Sequence, residues 1–353
     1  MVLGAMFGLL ILFEIQDSFP DLLGYQAGAL NILRYYLVLS PSFLTIVLPA
    51  SLLVSILYAL GQLHRANEFV AFRAAGMSVF RVTRSIWLAC SILSGVLWYL
   101  NSSLIPWSVE ESERLMLVIE LNHESKTVEA AEVGLVVDLA FDNRKENRMW
   151  FINRSSQFNE QGFGIMVSVM DDQRRELRRF MARSGYFDET AGYWKLHDGR
   201  EFIFDLEDDE KNSFRPFESM DVPALTDDPE LMMLFGKRAK DLSFRQLKRI
   251  TDNFTQEHNP NVLSYQARLQ ALMASAASCL IVAGIAIPFA ISGVRTNPAV
   301  GVSKSIGLFF AFYLLTSILN AMGRKGTLSP EWAAWTPMIF MIVLAYVLMR
   351  RVK

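Results

Sequence analysis

Six apolar segments, three in each end third of the chain, constrain the fold more than any other feature. A helix needs about 20 mostly apolar residues to cross the roughly 30 Å hydrocarbon core of a bilayer. The segments span residues 1–15, 36–60, 86–105, 269–291, 305–322 and 335–349. They predict six membrane helices, three on each side of a polar middle. The fold class that follows is membrane α+β, with residues 1–120 and 256–353 in the membrane and residues 121–255 inserted between them.

The first segment is short for a membrane span, with 15 residues where about 20 are expected, and it begins without the basic residues that usually flank a cytoplasmic helix end. We therefore expect a segment missing upstream. A cleaved signal peptide is the rival interpretation, but the stretch has no charged n-region and no clear small-residue cleavage site after Phe13.

Composition supports the division into apolar membrane segments and a polar middle domain. The chain has 353 residues, of which 52% are hydrophobic and 20% charged, and its formal net charge is −2. The charged residues crowd the middle, so these averages describe neither part. Nothing in this balance points to nucleic acid as a partner.

Basic residues predict the orientation of the helices. They gather in the second connection, in the fourth connection and in the tail: Arg65, Arg73, Arg81, Arg84, Arg295, Lys304, Arg350, Arg351 and Lys353. Short loops rich in Lys and Arg stay in the cytoplasm. Both termini are therefore expected inside and the middle domain outside, although Arg324 and Lys325 in the fifth connection depart from the pattern.

The external domain alternates apolar and polar residues as strands do. Residues 149–153 read M-W-F-I-N and residues 200–205 read R-E-F-I-F-D. Turn signals at residues 142–143, 159–162, 189–192 and 197–199 separate such runs. Short strands at this spacing suggest a sandwich or jelly roll, followed by a capped helix from Ser243. The domain either binds a partner through an open sheet edge or serves as a structural cap.

Motifs for chemistry are missing from the sequence. There is no G-x-x-x-x-G-K-[ST] phosphate loop, so ATP is expected in a partner and no cofactor in this chain. His123 and Glu124 begin like a zinc protease motif, but Thr127 stands where the second His belongs. Cys90 and Cys279 lie in predicted membrane helices as packing residues. The chain is therefore expected to be neither an enzyme nor a metal protein.

A short helix is predicted at about residues 67–76, between the second and third apolar segments. Asn67 is a plausible N-cap, Glu68 sits in the first turn, where the helix dipole favours a negative charge, and Gly76 fits the stop. This helix combines bulky side chains, a fixed positive charge and a face of small residues, which suits a cleft on a partner protein. The bulk comes from Phe69 and Phe72, the charge from Arg73, and the small face from Ala71, Ala74 and Ala75. The alternative is an amphipathic linker lying on the lipid surface.

Residues 60–78, which read L-G-Q-L-H-R-A-N-E-F-V-A-F-R-A-A-G-M-S, resemble the coupling segment of the LptF/LptG family. These proteins are the permease subunits of the lipopolysaccharide export transporter. The resemblance continues in order along nearly the whole chain, through Pro49, residues 103–106, the W-K-L-H-D-G-R run from Trp194, residues 242–244, Arg268, Pro288 and residues 323–335. The chain is thus similar to the family throughout.

The resemblance implies six membrane helices and a periplasmic jelly roll in the bacterial inner membrane. It also implies a second permease of the same family, a cytoplasmic ATPase dimer that binds ATP, periplasmic jelly-roll bridge proteins, and lipopolysaccharide as cargo. The coupling residues that it implies on this chain are Glu68, Phe69, Phe72, Arg73, Ala74 and Gly76.

Lipopolysaccharide carries phosphates at the outer bilayer surface, so a permease for it needs cations at that level. Arg34, Arg114 and Arg268 are predicted near this level. The alternative for Arg268 is snorkelling to the interface. The acidic residues Glu14, Asp17 and Asp21 occupy the outer end of the first helix, where family members often carry basic ones.

Two other classes of function compete with lipopolysaccharide export. One is a permease for another lipid or a lipoprotein, and the three-plus-three division of helices around the domain speaks against it. The other is a membrane-bound lipid-modifying enzyme, which needs clustered His, Asp or Glu near a leaflet surface. The sequence offers no such cluster.

Overall fold

The structure is a computed structural model. It describes residues 1–124, 135–156, 161–205, 213–255, 259, 261–292 and 298–351. The chain divides into two compact units. The membrane unit consists of Met1–His123, Ser243–Leu247 and Leu263–Lys353, and the sheet unit consists of Glu124–Leu242 and Lys248–Val262.

Twelve α-helices occur among the described residues. They are α1 (Val2–Gly24), α2 (Ala29–Leu39), α3 (Leu44–Arg65), α4 (Glu68–Ala74), α5 (Val79–Tyr99), α6 (Ile105–Glu124), α7 (Pro229–Gly236), α8 (Phe244–Asn253), α9 (Val262–Ser275), α10 (Ser278–Ser292), α11 (Pro298–Arg324) and α12 (Pro330–Arg351). A 3₁₀ turn, Ser40–Phe43, joins α2 to α3, and a π-helical turn, Leu100–Leu104, joins α5 to α6.

Five continuous helical stretches in the described chain are long and apolar enough to cross a membrane. They are α1, α2 with α3, α5 with most of α6, α11 and α12. The pair α9 and α10 passes the same test together but is bent by 48°, so it makes a sixth span if both helices form one. Each predicted apolar segment falls in one of these six places. The prediction of several membrane helices is confirmed, and the sixth depends on the bent pair.

Helix α10 is the centre of the membrane unit. Its residues Val282, Ala283 and Ile285 are fully buried, and it packs against α3, α5, α11 and α12. A helix that is apolar on every side is typical of such a central position. Gly284 allows α12 to approach closely, because a Cβ at this position would lie 2.7 Å from the Cβ of Ala345.

The sheet unit contains one antiparallel sheet of six strands. These are β1 (Leu135–Asn143), β2 (Arg148–Ser156), β3 (Gln161–Met170), β4 (Glu176–Asp188), β5 (Tyr193–Ile203) and β6 (Ser213–Val222). Each strand pairs with its neighbour in sequence, in the order β1-β2-β3-β4-β5-β6. This order is a meander, whereas a jelly roll is built from Greek keys. The predicted β-domain is confirmed, and its jelly-roll order is not seen among the described strands.

One face of the sheet forms the core of this unit. Trp150, Ile165, Val167 and Leu196 are buried, in line with the alternation read from the sequence. The predicted turns at residues 142–143 and 189–192 lie at strand ends, and the prediction at residues 159–162 falls partly outside the described residues. The turn predicted at residues 197–199 is wrong, because His197 and Gly199 pair with both neighbouring strands within β5 and Asp198 between them has a φ of 51° without ending the strand.

A capped helix from Ser243 is confirmed. The backbone N–H of Gln246 donates to the Ser243 hydroxyl at 3.3 Å, and the backbone N–H of Ser243 donates to the side-chain oxygen of Gln246 at 2.8 Å. This reciprocal pair is a capping box, which fixes the start of α8.

Candidate functional site

Asn67 closes α3 and precedes α4. Its backbone has a φ of 57°, in the left-handed region that asparagine enters more readily than most residues. Its N–H donates to the His64 carbonyl at 2.9 Å, and its own carbonyl accepts the first bond of α4 from Ala71. The side chain makes no capping hydrogen bond. Asn67 is the N-cap residue of α4, as the sequence predicts, but it satisfies no backbone donor with its side chain, because its backbone conformation serves the end of α3.

Gly76 ends α4 as the sequence predicts. Its φ is 78°, which favours glycine. The Met77 N–H donates to the Phe72 carbonyl at 3.1 Å, and the Gly76 N–H donates to the Arg73 carbonyl at 3.0 Å. These two bonds form a Schellman motif. Left-handed residues therefore bound the seven-residue helix at both ends.

Phe69 anchors α4 to the membrane unit. It is 5% exposed and lies in a cluster with Leu60, Val79 and Ile287, and its ring centroid is 6.3 Å from that of His64. The sequence had assigned Phe69 to the docking surface together with Phe72. The structure corrects this, because a buried side chain is not available to a partner.

The remaining predicted coupling residues are exposed. Phe72 is 37% exposed. The other exposed residues of this set are Glu68, Arg73, Ala74 and Gly76. Val70 and Phe80 are also exposed large apolar residues in this connection, and sequence reasoning missed them. The sequence carries a signal for both. Val70 lies between the charged residues Glu68 and Arg73 on a helix too short to bury every apolar side chain, and Phe80 is the second residue of α5. The exposed surface of α4 thus combines an acid, a base and apolar bulk.

Glu111 brings two of the three predicted lipid-binding arginines together. The Arg34 guanidinium lies 3.4 Å from one carboxylate oxygen of Glu111, and the Arg114 guanidinium lies 3.6 Å from the other. Both arginines are exposed, so their charges are open to a further anion. Sequence reasoning missed Glu111, although its spacing of three residues from Arg114 on α6 was visible. Arg268 lies on α9 and is half-buried.

The sheet unit has an apolar row on the face opposite its core. Phe151, Met166 and Met181 are paired in register across β2, β3 and β4, and Arg200 continues the row on β5. They line a concave region of about 780 Å³ together with Arg183. Asp198 also lines the region, so its charged rim has two guanidinium groups and one carboxylate above an apolar floor, which suits an amphipathic anion. The outward residues of the M-W-F-I-N run were the sequence signal for this row.

A buried polar cluster holds the sheet to the segment that follows it. Asp227 is buried, and its carboxylate accepts from Trp150 Nε1 at 2.9 Å and from Asn143 Nδ2 at 2.6 Å. Arg148 Nε lies 3.2 Å from the same carboxylate. Charges buried in this way need partners, and here each has them. We assign the cluster a structural role.

Comparison with known families decides what class of protein this is. The family model described as lipopolysaccharide export system permease LptF/LptG matches residues 1–351. The chain belongs to the LptF/LptG family. A search of curated proteins found no match.

Membership in the LptF/LptG family identifies the chain as an integral membrane protein of the lipopolysaccharide export permease family. Subunits of this family are generally not catalytic. Among the described residues, no group of three or more His, Cys, Asp or Glu residues is placed to hold a metal ion. Three surfaces are the candidate functional features described above: the exposed side of α4, the arginines around Glu111, and the apolar row of the sheet.

Proposed function

We propose that this chain is one permease half of an ABC transporter. It extracts lipopolysaccharide from the outer leaflet of the bacterial inner membrane and passes it to a periplasmic bridge of jelly-roll proteins. A cytoplasmic ATPase dimer binds and hydrolyses ATP, and a second LptF/LptG permease completes the complex. The family match over residues 1–351 carries this proposal, with both termini cytoplasmic and the sheet unit periplasmic.

Helix α4 is the coupling helix on this proposal. Glu68, Phe72 and Arg73 enter a cleft of the ATPase, and the small side chain of Ala74 permits a close approach. Helices as short as α4 are unstable alone and depend on packing. Because Phe69 is packed against residues of α3, α5 and α10, movement of the ATPase is transmitted through it to the membrane helices.

The arginines receive the lipid phosphates. Arg34 and Arg114 already share the Glu111 carboxylate, and a phosphate joining them gains charge-assisted hydrogen bonds. Arg268 supplies a third cation from α9. The acyl chains then pass over the apolar row of the sheet, which takes the part of the jelly roll implied by the family. The edge strands β1 and β6 offer backbone groups for pairing with a bridge protein.

Charge reversal at Glu68 tests the coupling role. Glu68→Lys should lower ATP-driven lipopolysaccharide extraction in proteoliposomes by about tenfold or more, because like charges at an interface cost several kcal/mol. Glu331→Lys is the matched control, since Glu331 is an exposed acid in the first turn of α12 and its reversal loses the same helix-dipole interaction. Full extraction by the Glu68 variant would remove α4 from the coupling interface.

Removal of Arg268 tests the lipid site. Arg268→Ala should reduce photocrosslinking of labelled lipopolysaccharide by about tenfold, because a hydrogen bond between charged groups contributes about 1.5–3 kcal/mol. Arg324→Ala, at the exposed end of α11, is the control. Unchanged crosslinking and transport would exclude Arg268 from the site.

A further inference from the structure

A groove at the C-terminal end of α3 shares no lining residue with the three surfaces described above. It has a volume of about 340 Å³ and runs between α3, α10 and α11, entirely within the membrane unit. On α3 its wall is formed at positions 54, 57, 58, 61, 62, 64 and 65, a spacing that places them along one side of the helix. The opposite wall comes from Phe289 on α10 and Ile306 on α11.

The groove is apolar inside and polar at one end. Leu57, Phe289 and Ile306 give it an apolar lining, and Gly61 leaves space, because a Cβ there would meet no atom within 4 Å. Arg65 is the last residue of α3 and is exposed, and Gln62 Nε2 donates to the Tyr58 hydroxyl at 2.8 Å. Among the described residues that line the groove, none is acidic.

We propose that this groove binds one acyl chain of an anionic phospholipid, with the headgroup at Arg65. Helices of a membrane protein are surrounded by lipid, so an open apolar groove between them is filled by acyl chains. Its volume lies near the lower end of the roughly 300–1,000 Å³ of ligand pockets, which suits a single chain rather than the several chains of lipopolysaccharide. Arg65 supplies positive charge without a competing acid in the lining, which favours an anionic headgroup.

The groove also touches the anchor of α4. His64 lines the groove and its ring contacts the ring of Phe69. A bound lipid therefore packs against His64, which in turn contacts Phe69, the residue that anchors α4. With the orientation proposed above, the Arg65 end of the groove faces the cytoplasm, which assigns the lipid to the cytoplasmic leaflet; the groove itself does not depend on that orientation.

Photocrosslinking in nanodiscs tests this site on the full chain. The probes are phosphatidylglycerol and phosphatidylcholine that carry the same diazirine in the acyl chain, and labelled peptides are mapped by mass spectrometry. We expect labelling in residues 54–65 and 302–306, with phosphatidylglycerol favoured by about fivefold, since one basic residue near a membrane surface contributes about 1 kcal/mol. Absence of labelling in these peptides would overturn the proposal.

Two variants with matched controls distinguish binding of the lipid acyl chain from recognition of the lipid headgroup. Gly61→Leu should fill the groove and reduce labelling to background, whereas Gly95→Leu, at an equally open glycine on α5, should leave it unchanged. Arg65→Gln should abolish the preference for phosphatidylglycerol, whereas Arg84→Gln should preserve it. Equal labelling of the Gly61 variant and the natural chain would contradict a lipid site in the groove. The crosslinking measurement does not require export activity. A variant that loses export but keeps its labelling therefore bears only on the proposed function.

Discussion

At the scale of single residues, Asp171 shows how a turn in the sheet unit depends on charge. Its carboxylate accepts from the N–H groups of Arg175 and Gln173 at 2.8 and 2.9 Å, and from Arg175 Nε at 2.8 Å. The pKa of Asp171 is lowered chiefly by the backbone N–H of Arg175, and further by the Arg175 side chain and the Gln173 N–H. A lowered pKa contributes stability above the unfolded value of about 3.9, and this is lost as the pH falls through the lower folded pKa.

Asp171→Asn should therefore flatten the acid end of the stability profile. In the natural chain, the thermal midpoint of the sheet unit should fall as the pH drops below about 4. The variant should have a lower midpoint at neutral pH and a smaller decrease in acid. Tryptophan fluorescence follows the transition, because Trp150 and Trp194 are buried and their rings lie 5.0 Å apart. Glu189→Gln is the control, and an unchanged acid slope in the Asp171 variant would refute the assignment.

Residue-level prediction from sequence succeeded where one physical requirement acts on one position. Gly76 had to end α4, and it does so with a positive φ. Asn67 serves two helices at once, and its capping preference alone did not reveal which of them sets its conformation. The direction of Phe69 was missed because a helix of two turns presents apolar residues on more than one side, and only packing decides which is buried.

At the scale of elements, α4 depends on one side chain. With seven residues it is too short to be stable alone, and Phe69 supplies its buried contact. Removing a buried Phe side chain costs about 3–5 kcal/mol. Because this cost falls on α4 and its attachment, the helix should loosen before the membrane unit unfolds.

Phe69→Ala should increase hydrogen exchange of the α4 amides in the full chain without the ATPase, by about tenfold or more if even 1.4 kcal/mol of local stability is lost. Phe72→Ala, which removes an exposed ring from the same helix, should leave this exchange unchanged and should weaken only ATPase binding. Equal exchange in both variants would contradict the role of Phe69 as the anchor.

Elements were predictable where length and periodicity suffice. The apolar runs located the membrane helices because bilayer thickness fixes their length. The bend of 48° between α9 and α10 was not foreseen, because the sequence stays apolar through the break. Alternation located strands such as β2, but the meander order depends on pairing between strands and was not encoded in local spacing. The apolar row of the sheet depended on that order and was therefore missed as well.

At the scale of the whole molecule, the two units divide the work proposed for the chain. The membrane unit is organised around the buried helix α10 and carries both α4 and the arginines at Glu111. The sheet unit carries the apolar row, and β1 and β6 are the edge strands of its described sheet. The sequence contains no phosphate loop for ATP, which is consistent with the separate ATPase that we propose.

Affinity purification of the chain from native membranes in mild detergent, followed by mass spectrometry of everything retained, tests the export complex most directly. We predict recovery of a soluble ATPase, a second LptF/LptG permease and bound lipopolysaccharide. The same purification with Phe69→Ala should retain the second permease and lose the ATPase. Recovery of the natural chain without any ATPase would contradict the proposal that α4 couples this permease to ATP hydrolysis.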